Sequence, residues 1–292
     1  MGESFAFGAA ICWAIGPLIA YRGVEALGTF RFSQYRFIIS AFILFLLALG
    51  FGRIEFFDTH SILLLVVSGI VGVAFGEAVL FQAVYYIGPR IASIVFSLHA
   101  PITAFVGVFI FSELVSWVSL FGIIVAIAGV YTAIIYKSSS EEIGGEWHKA
   151  DKVVVGVILA ILAVLFQVVG ALLSKEVMSE IEPFYASFVR TVSAAIAFIP
   201  IFLIFREKSK DVSPANIRYV VYSGLVSTVG GMTLLLAAFA YTEIFRAVIV
   251  AALSPVIYIF IMSIFKKEKF PLGAWFGTVL AIGGVVITML NI

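Results

Sequence analysis

Apolar residues along this chain fall into long blocks separated by short polar punctuation, and the blocks do not alternate at period two. Read over a window of about 19 residues, they predict ten helices, at about 5–21, 32–51, 61–85, 91–111, 117–136, 153–174, 184–205, 217–241, 246–265 and 272–290. Blocks of this length suit a bilayer. Lipid offers no water to backbone N–H and C=O groups, so a crossing segment of about 20 apolar residues must close its hydrogen bonds internally, as a helix. A membrane barrel, built from strands of about ten alternating residues, does not fit the pattern. One strongly polar break, KSSSEEIGGEWHKADK at 137–152, divides five predicted helices from five and reads as a solvated linker.

The two sets of five resemble one another at a nearly fixed offset. FGIIVAIAGV (121–130) lies over FGTVLAIGGV (276–285) at an offset of 155, and FRFSQYRFIISA (30–41) over FYASFVRTVSAA (184–195) at 154. SGIVGVAFGEAVLFQAVYY (68–86) lies over SGLVSTVGGMTLLLAAFAY (223–241), again at 155. Two copies of an odd number of spans, joined by one short aqueous linker, must enter the membrane in opposite senses. The sequence therefore predicts an all-α membrane protein: a first repeat at 1–136, a linker at 137–152 and a second, inverted repeat at 153–292. Inverted repeats characterise secondary transporters whose substrate site lies near the midplane between the halves.

Charge placement sets an expected orientation. Of the 18 Lys and Arg residues, Arg36 and Arg190 fall inside predicted spans, Arg53, Lys175 and Arg246 fall at even-numbered loops, and the remaining thirteen fall at odd-numbered loops. By the positive-inside rule, the odd loops and the linker face the cytoplasm and both termini face outward.

Composition agrees with a membrane protein: 63% hydrophobic residues, 12% charged and a mean hydropathy of +1.17, beyond the roughly 45–50% apolar usage of soluble domains. Met1-Gly2-Glu3 supplies no cationic leader, so a removable signal peptide is not expected. Cys12 is the one cysteine, and the widely spaced His60, His99 and His148 lack ligand spacing, so no disulfide or metal site is expected. There is no HExxH, GxSxG or GxxxxGK[ST] motif, which argues against an enzyme or an ATP-driven pump and gives no cofactor. A net charge of +1 points to no nucleic-acid partner. The alternatives to a transporter that remain open are a passive channel and a non-transporting membrane scaffold.

Several duplicated pieces resemble the EamA-type branch of the drug/metabolite transporter superfamily along essentially the whole chain. They are Trp13 in the first span, Arg36 and Arg190 early in the second and seventh, and the runs ASIVFSLHAP and AVIVAALSP ending at Pro101 and Pro255. Glu113 and Glu268, each nine residues before a glycine (Gly122, Gly277), complete the set. The resemblance implies ten helices in two inverted repeats, alternating access, and export or exchange of small metabolites, amino acids or drugs. It also implies cytoplasmic termini, opposite to what the charges imply.

Six residues inside the spans are candidates for substrate binding or coupling: Glu77, Arg36, His99, Arg190, Trp13 and Gln167. A charge at mid-helix costs about 2.5–3.5 kcal/mol to insert and normally faces the bundle interior. Glu77, Arg36 and His99 are expected at similar depth. Glu77 then either exchanges a proton or holds a cationic group, or forms a structural ion pair with Arg36. Met232 stands where Glu77 would recur, so Arg190 lacks an equivalent acid; it either meets a substrate carboxylate or snorkels to the interface. His99 is either a proton relay or a hydrogen-bonded bundle histidine. Nine residues separate Ala92 from Pro101 but eight separate Ala247 from Pro255, which predicts an inserted residue and a bulge beside Pro101. Trp13 and Gln167, at matching places in spans one and six, either line a central cavity or pack. Pro17 is a candidate kink; Ser227, Thr228 and Tyr258 are candidate polar liners; Glu113 and Glu268 are expected to cap or pair at the interface. Small-residue repeats such as Gly72-x-x-x-Gly76 and Gly273-x-x-x-Gly277 predict close helix contacts, within or between chains. The expected partners are a small-molecule substrate, the lipid bilayer and coupled protons, with a monomer as default because ten spans suffice to enclose a cavity.

Overall fold

The computed structural model describes residues 1–51, 58–136, 153–204, 212–265, 267 and 269–289. The linker 137–152, Glu268 and the basic residues Arg53, Arg206, Lys208, Lys210 and Lys266 lie outside the described residues. Among the described residues there is no strand, and ten helices are long and apolar enough to cross a bilayer. In chain order, spans one to five are Gly2–Leu27, Thr29–Gly50, Thr59–Gly88, Ile91–Ile110 and Trp117–Ile135. Spans six to ten are Val153–Val177, Pro183–Ile204, Pro214–Tyr241, Ile244–Phe265 and Leu272–Met289.

Local chemistry sets the span ends. The Asp58 carboxylate accepts the amides of His60 (3.1 Å) and Ser61 (3.2 Å) to open span three, and the Ser116 hydroxyl accepts the Ser119 amide (3.2 Å) to open span five. Pro183 and Pro214 stand at the first turn of spans seven and eight, where a missing N–H costs nothing. Gly28 and Gly88, at φ 81° and 76°, turn the chain between spans one and two and between three and four, in a backbone region that favours glycine. The first helix runs unbroken through Pro17.

Three seams between the halves run antiparallel. A β-carbon at Gly122 would lie 2.5 Å from the Thr288 nitrogen, one at Gly129 2.1 Å from that of Ala281, and one at Gly277 2.3 Å from that of Ala133. Residue numbers rise along span five as they fall along span ten. Spans five and ten are the corresponding last helices of the two halves, so their opposite directions are the inversion itself. Spans three and six follow the same rule, with Gly72 against Gly170 and Gly156 against Ile87, as do spans one and eight, with Gly8 against Leu234 and Gly16 against Ser227. Spans two and seven, and four and nine, also pack together. Each pairing maps onto itself or onto another when the halves are exchanged.

The small residues therefore pack within the chain. Lipid is as apolar as leucine, so these seams gain from close van der Waals approach. Gly129 against Ala281 and Gly72 against Gly170 bring backbone against backbone.

Two irregularities recur at the repeat offset. Spans three and eight each widen into a π-helical segment, Gly69–Phe75 and Gly224–Met232; such segments are rare and cluster at functional sites. Spans four and nine each break, at Ser97–Leu98 and at Ala252–Leu253, between helices His99–Ile110 and Ser254–Phe265 and the segments before them. These breaks correct the expected insertion. The frames of the two halves match through the break at an offset of 155, and Pro101 and Pro255 sit one position apart on them. Neither break is a one-sided bulge: Leu98 donates to Val95 and Leu253 to Val250, both at 3.1 Å.

Candidate translocation site

Span two brings Ser33 and Arg36, one turn apart on one face, against Glu77 just beyond the π segment of span three. The Arg36 Nη2 pairs with Glu77 Oε2 while the Ser33 hydroxyl donates to Glu77 Oε1. The two ionic side chains are only 15% and 18% exposed, so Coulomb attraction is little screened here. The guanidinium carbon also lies 5.3 Å from the Phe37 ring centre and 5.9 Å from that of Phe32, an aromatic setting that favours a cation. Arg36 Nε remains buried without a partner. The sequence offered the ion pair as one of two readings and missed Ser33, whose spacing of three from Arg36 was the available signal.

Arg190 behaves differently from Arg36. It is 3% exposed, so it does not snorkel, and its Nε is buried without a partner. Among the described residues no hydrogen bond or ion pair reaches its guanidinium. Its backbone lies against the start of the span-three π segment, where a Gly69 β-carbon would approach the Arg190 oxygen to 2.3 Å. On span eight, Met232 takes the place of Glu77 in the repeat and accepts a 3.7 Å contact from the Thr191 hydroxyl. The hydroxyl of Ser187, the counterpart of Ser33, is bonded by Thr233 at 3.0 Å. The second half thus keeps the arginine and the serine and loses the acid.

The other three candidates divide. His99 does not join Arg36 and Glu77: its Nδ1 lies 2.8 Å from the Phe96 carbonyl and its ring 4.8 Å from the Phe96 ring. Together with the Ser97 hydroxyl, which donates to the Ile94 carbonyl at 2.7 Å, it supplies local partners at the break in span four. An apolar crevice beside that break, lined by Ser97, Pro101, Tyr131, Ile249 and Ala252, holds neither Glu77 nor Arg190. Trp13 donates its indole N–H to the Ser227 carbonyl at 3.2 Å and presses on Gly231, where a β-carbon would lie 2.5 Å from the indole nitrogen. Gln167 sits in the matching place by Gly76, its amide oxygen 4.0 Å from where a β-carbon would be. Trp13 therefore lies next to Met232 along span eight, and Gln167 next to Glu77 along span three.

At the end of the bundle where the chain begins, the halves are tied by charge. Glu113, after span four, accepts the Ile244 amide at 2.6 Å and the Phe245 amide at 3.4 Å, capping span nine of the other half. Burial raises the Glu113 carboxyl above its ordinary range, outweighing these amides and the nearby Lys175. Lys175 donates to the carbonyls of Phe239 and Thr242, both at 2.7 Å, and closes the end of span eight. The sequence placed Glu113 as a cap but gave no sign that it would cap the opposite half.

This arrangement is that of a multi-pass integral membrane protein with inverted halves and ionisable residues buried between them, the class in which secondary transporters occur. The chain belongs to the EamA-like transporter family, whose profile matches residues 1–135 and again 154–290. It is similar to the "Uncharacterized transporter YetK" of Bacillus subtilis (strain 168), 24% identical over 275 residues, which cover 92% of this chain and 80% of that protein. A solved crystal structure superposes with a TM-score of 0.81 at 15% identity, covering 99% of this chain and 97% of the other; that likeness shows the fold. The protein is thus a small-molecule transporter of the cell membrane.

Proposed function

We propose that this protein is a secondary active transporter that moves small metabolites, amino acids or drug-like compounds by alternating access, as an exporter or exchanger, with residues 1–136 and 153–292 as its two moving units. The observation that carries this reading is the partly buried Arg36–Glu77–Ser33 cluster of one half, set beside the span of the other half that carries Gln167. Arg36 neutralises the Glu77 carboxylate in this state; a conformational change that draws Arg36 away leaves a proton as the remaining way to neutralise it, and through that exchange Glu77 couples substrate movement to protons. Arg190, Trp13 and Gln167 then supply contacts to substrate, and His99 stabilises the broken span. A monomer suffices, since both halves of the site come from one chain.

The deciding experiment is flux into proteoliposomes across a panel of amino acids and metabolites, with and without a pH gradient. Accumulation that follows the gradient is the expected result; gradient-independent equilibration would indicate a passive channel, and no flux of any compound a scaffold. Orientation follows the charge bias, with the linker in the cytoplasm. A cysteine replacing Ser139 in a Cys12→Ala background should escape a membrane-impermeant maleimide in intact cells; labelling there would reverse the orientation.

A further inference from the structure

We infer that Arg190 is the anchor for a carboxylate group of the transported substrate, a deepening that rests on the transporter reading above. Intramembrane charges are tolerated when paired, and the central charges of this bundle do not balance. Arg36 and Glu77 neutralise one another. Arg190, 3% exposed and with its Nε unpartnered, carries one uncompensated positive charge. Lys175, at the far end of span six, is engaged with two carbonyls and is not available to share the task.

A single guanidinium in a dry site selects its ligand. It presents a planar fork of donors that fits a carboxylate with two parallel hydrogen bonds. One surplus charge is neutralised by one monoanionic group, whereas a phosphate dianion would leave the site with a net negative charge. The surroundings agree with a ligand site rather than a structural one. Arg190 adjoins the span-three π segment at Gly69, and its helix contacts Met232, the last residue of the span-eight π segment, through Thr191. Met232 is a flexible apolar residue that adapts to varied shapes, so the site fixes the carboxylate and leaves the rest of the substrate loosely specified.

The test is thermal unfolding of the full-length protein in detergent with acetate, benzoate and an α-amino acid, each beside its primary amide, and with inorganic phosphate. In the wild type the carboxylates should raise the melting temperature and the amides should not, with apparent affinities for acid and amide differing by about a hundredfold or more. Arg190→Met should itself melt no lower than the wild type, because it removes an uncompensated buried charge, and should lose all carboxylate protection; Arg190→Lys should retain a weakened response. Equal protection by acid and amide, protection by phosphate alone, no protection by any carboxylate, or an Arg190→Met protein that melts lower while still responding would each overturn the assignment. Carboxylate protection without flux would leave Arg190 as an anchor and refute the transporter reading; flux of compounds lacking a carboxylate would do the reverse.

Discussion

At the residue scale, one substitution within a duplicated pattern changes the chemistry. The first half holds Arg36, Ser33 and Glu77 in a closed network; the second holds Arg190, Ser187 and Met232, and the network opens. Glu77→Gln is therefore informative, because the amide keeps an acceptor for Ser33 yet cannot titrate. We expect the variant to fold but to melt lower than the wild type, because Arg36 is left as a second buried cation without its anion, and to show flux that no longer responds to the pH gradient. Arg36→Met should likewise melt lower, since leaving Glu77 buried without its cation costs about 3 kcal/mol or more. A Glu77→Gln protein that still accumulates substrate along the gradient would remove Glu77 from coupling. The polarity of both sites could be read in the sequence, because charged residues inside apolar blocks are rare. The commitments of His99 and Trp13 could not, since a hydrogen bond to the Phe96 or Ser227 carbonyl depends on where a helix breaks or widens.

At the scale of elements, close packing between the last helices of each half is the main seam. Gly129→Leu places side-chain atoms where the Ala281 backbone already stands, so spans five and ten must separate. Overpacking of this kind costs about 1–3 kcal/mol, and we expect a clearly lower melting temperature. Gly283→Leu, in span ten with nothing within 4 Å of its β-carbon, is the control and should melt like wild type; equal losses in both would show that the seam is not decisive. The small-residue spacing that builds this seam was legible in the sequence. Which helix it met was not, because GxxxG patterns state that something approaches closely without saying what.

At the scale of the whole molecule, the cross-half cap of Glu113 on span nine and the contact of Gly107 with Ile244 tie the two halves together at one end of the bundle. A β-carbon on Gly107 would lie 3.6 Å from the Ile244 β-carbon, within the span of a disulfide, about 3.5–4.5 Å. With cysteines at both positions in a Cys12→Ala background, oxidation should arrest flux and reduction restore it. Undiminished flux in the oxidised protein would mean that this end never opens, and alternating access would fail.

Hydropathy and repeat spacing by themselves determined the ten spans, the division after the fifth and the inversion, because lipid forces helices on long apolar runs and an odd count forces opposite entry. Tertiary structure alone decided that Glu77 has both Arg36 and Ser33, that Arg190 is buried rather than snorkelling, that the breaks in spans four and nine match despite displaced prolines, and that Glu113 caps the opposite half. Those outcomes depend on which helix faces which, and facing is set by side-chain packing across the pseudo-two-fold axis, between residues far apart in the chain.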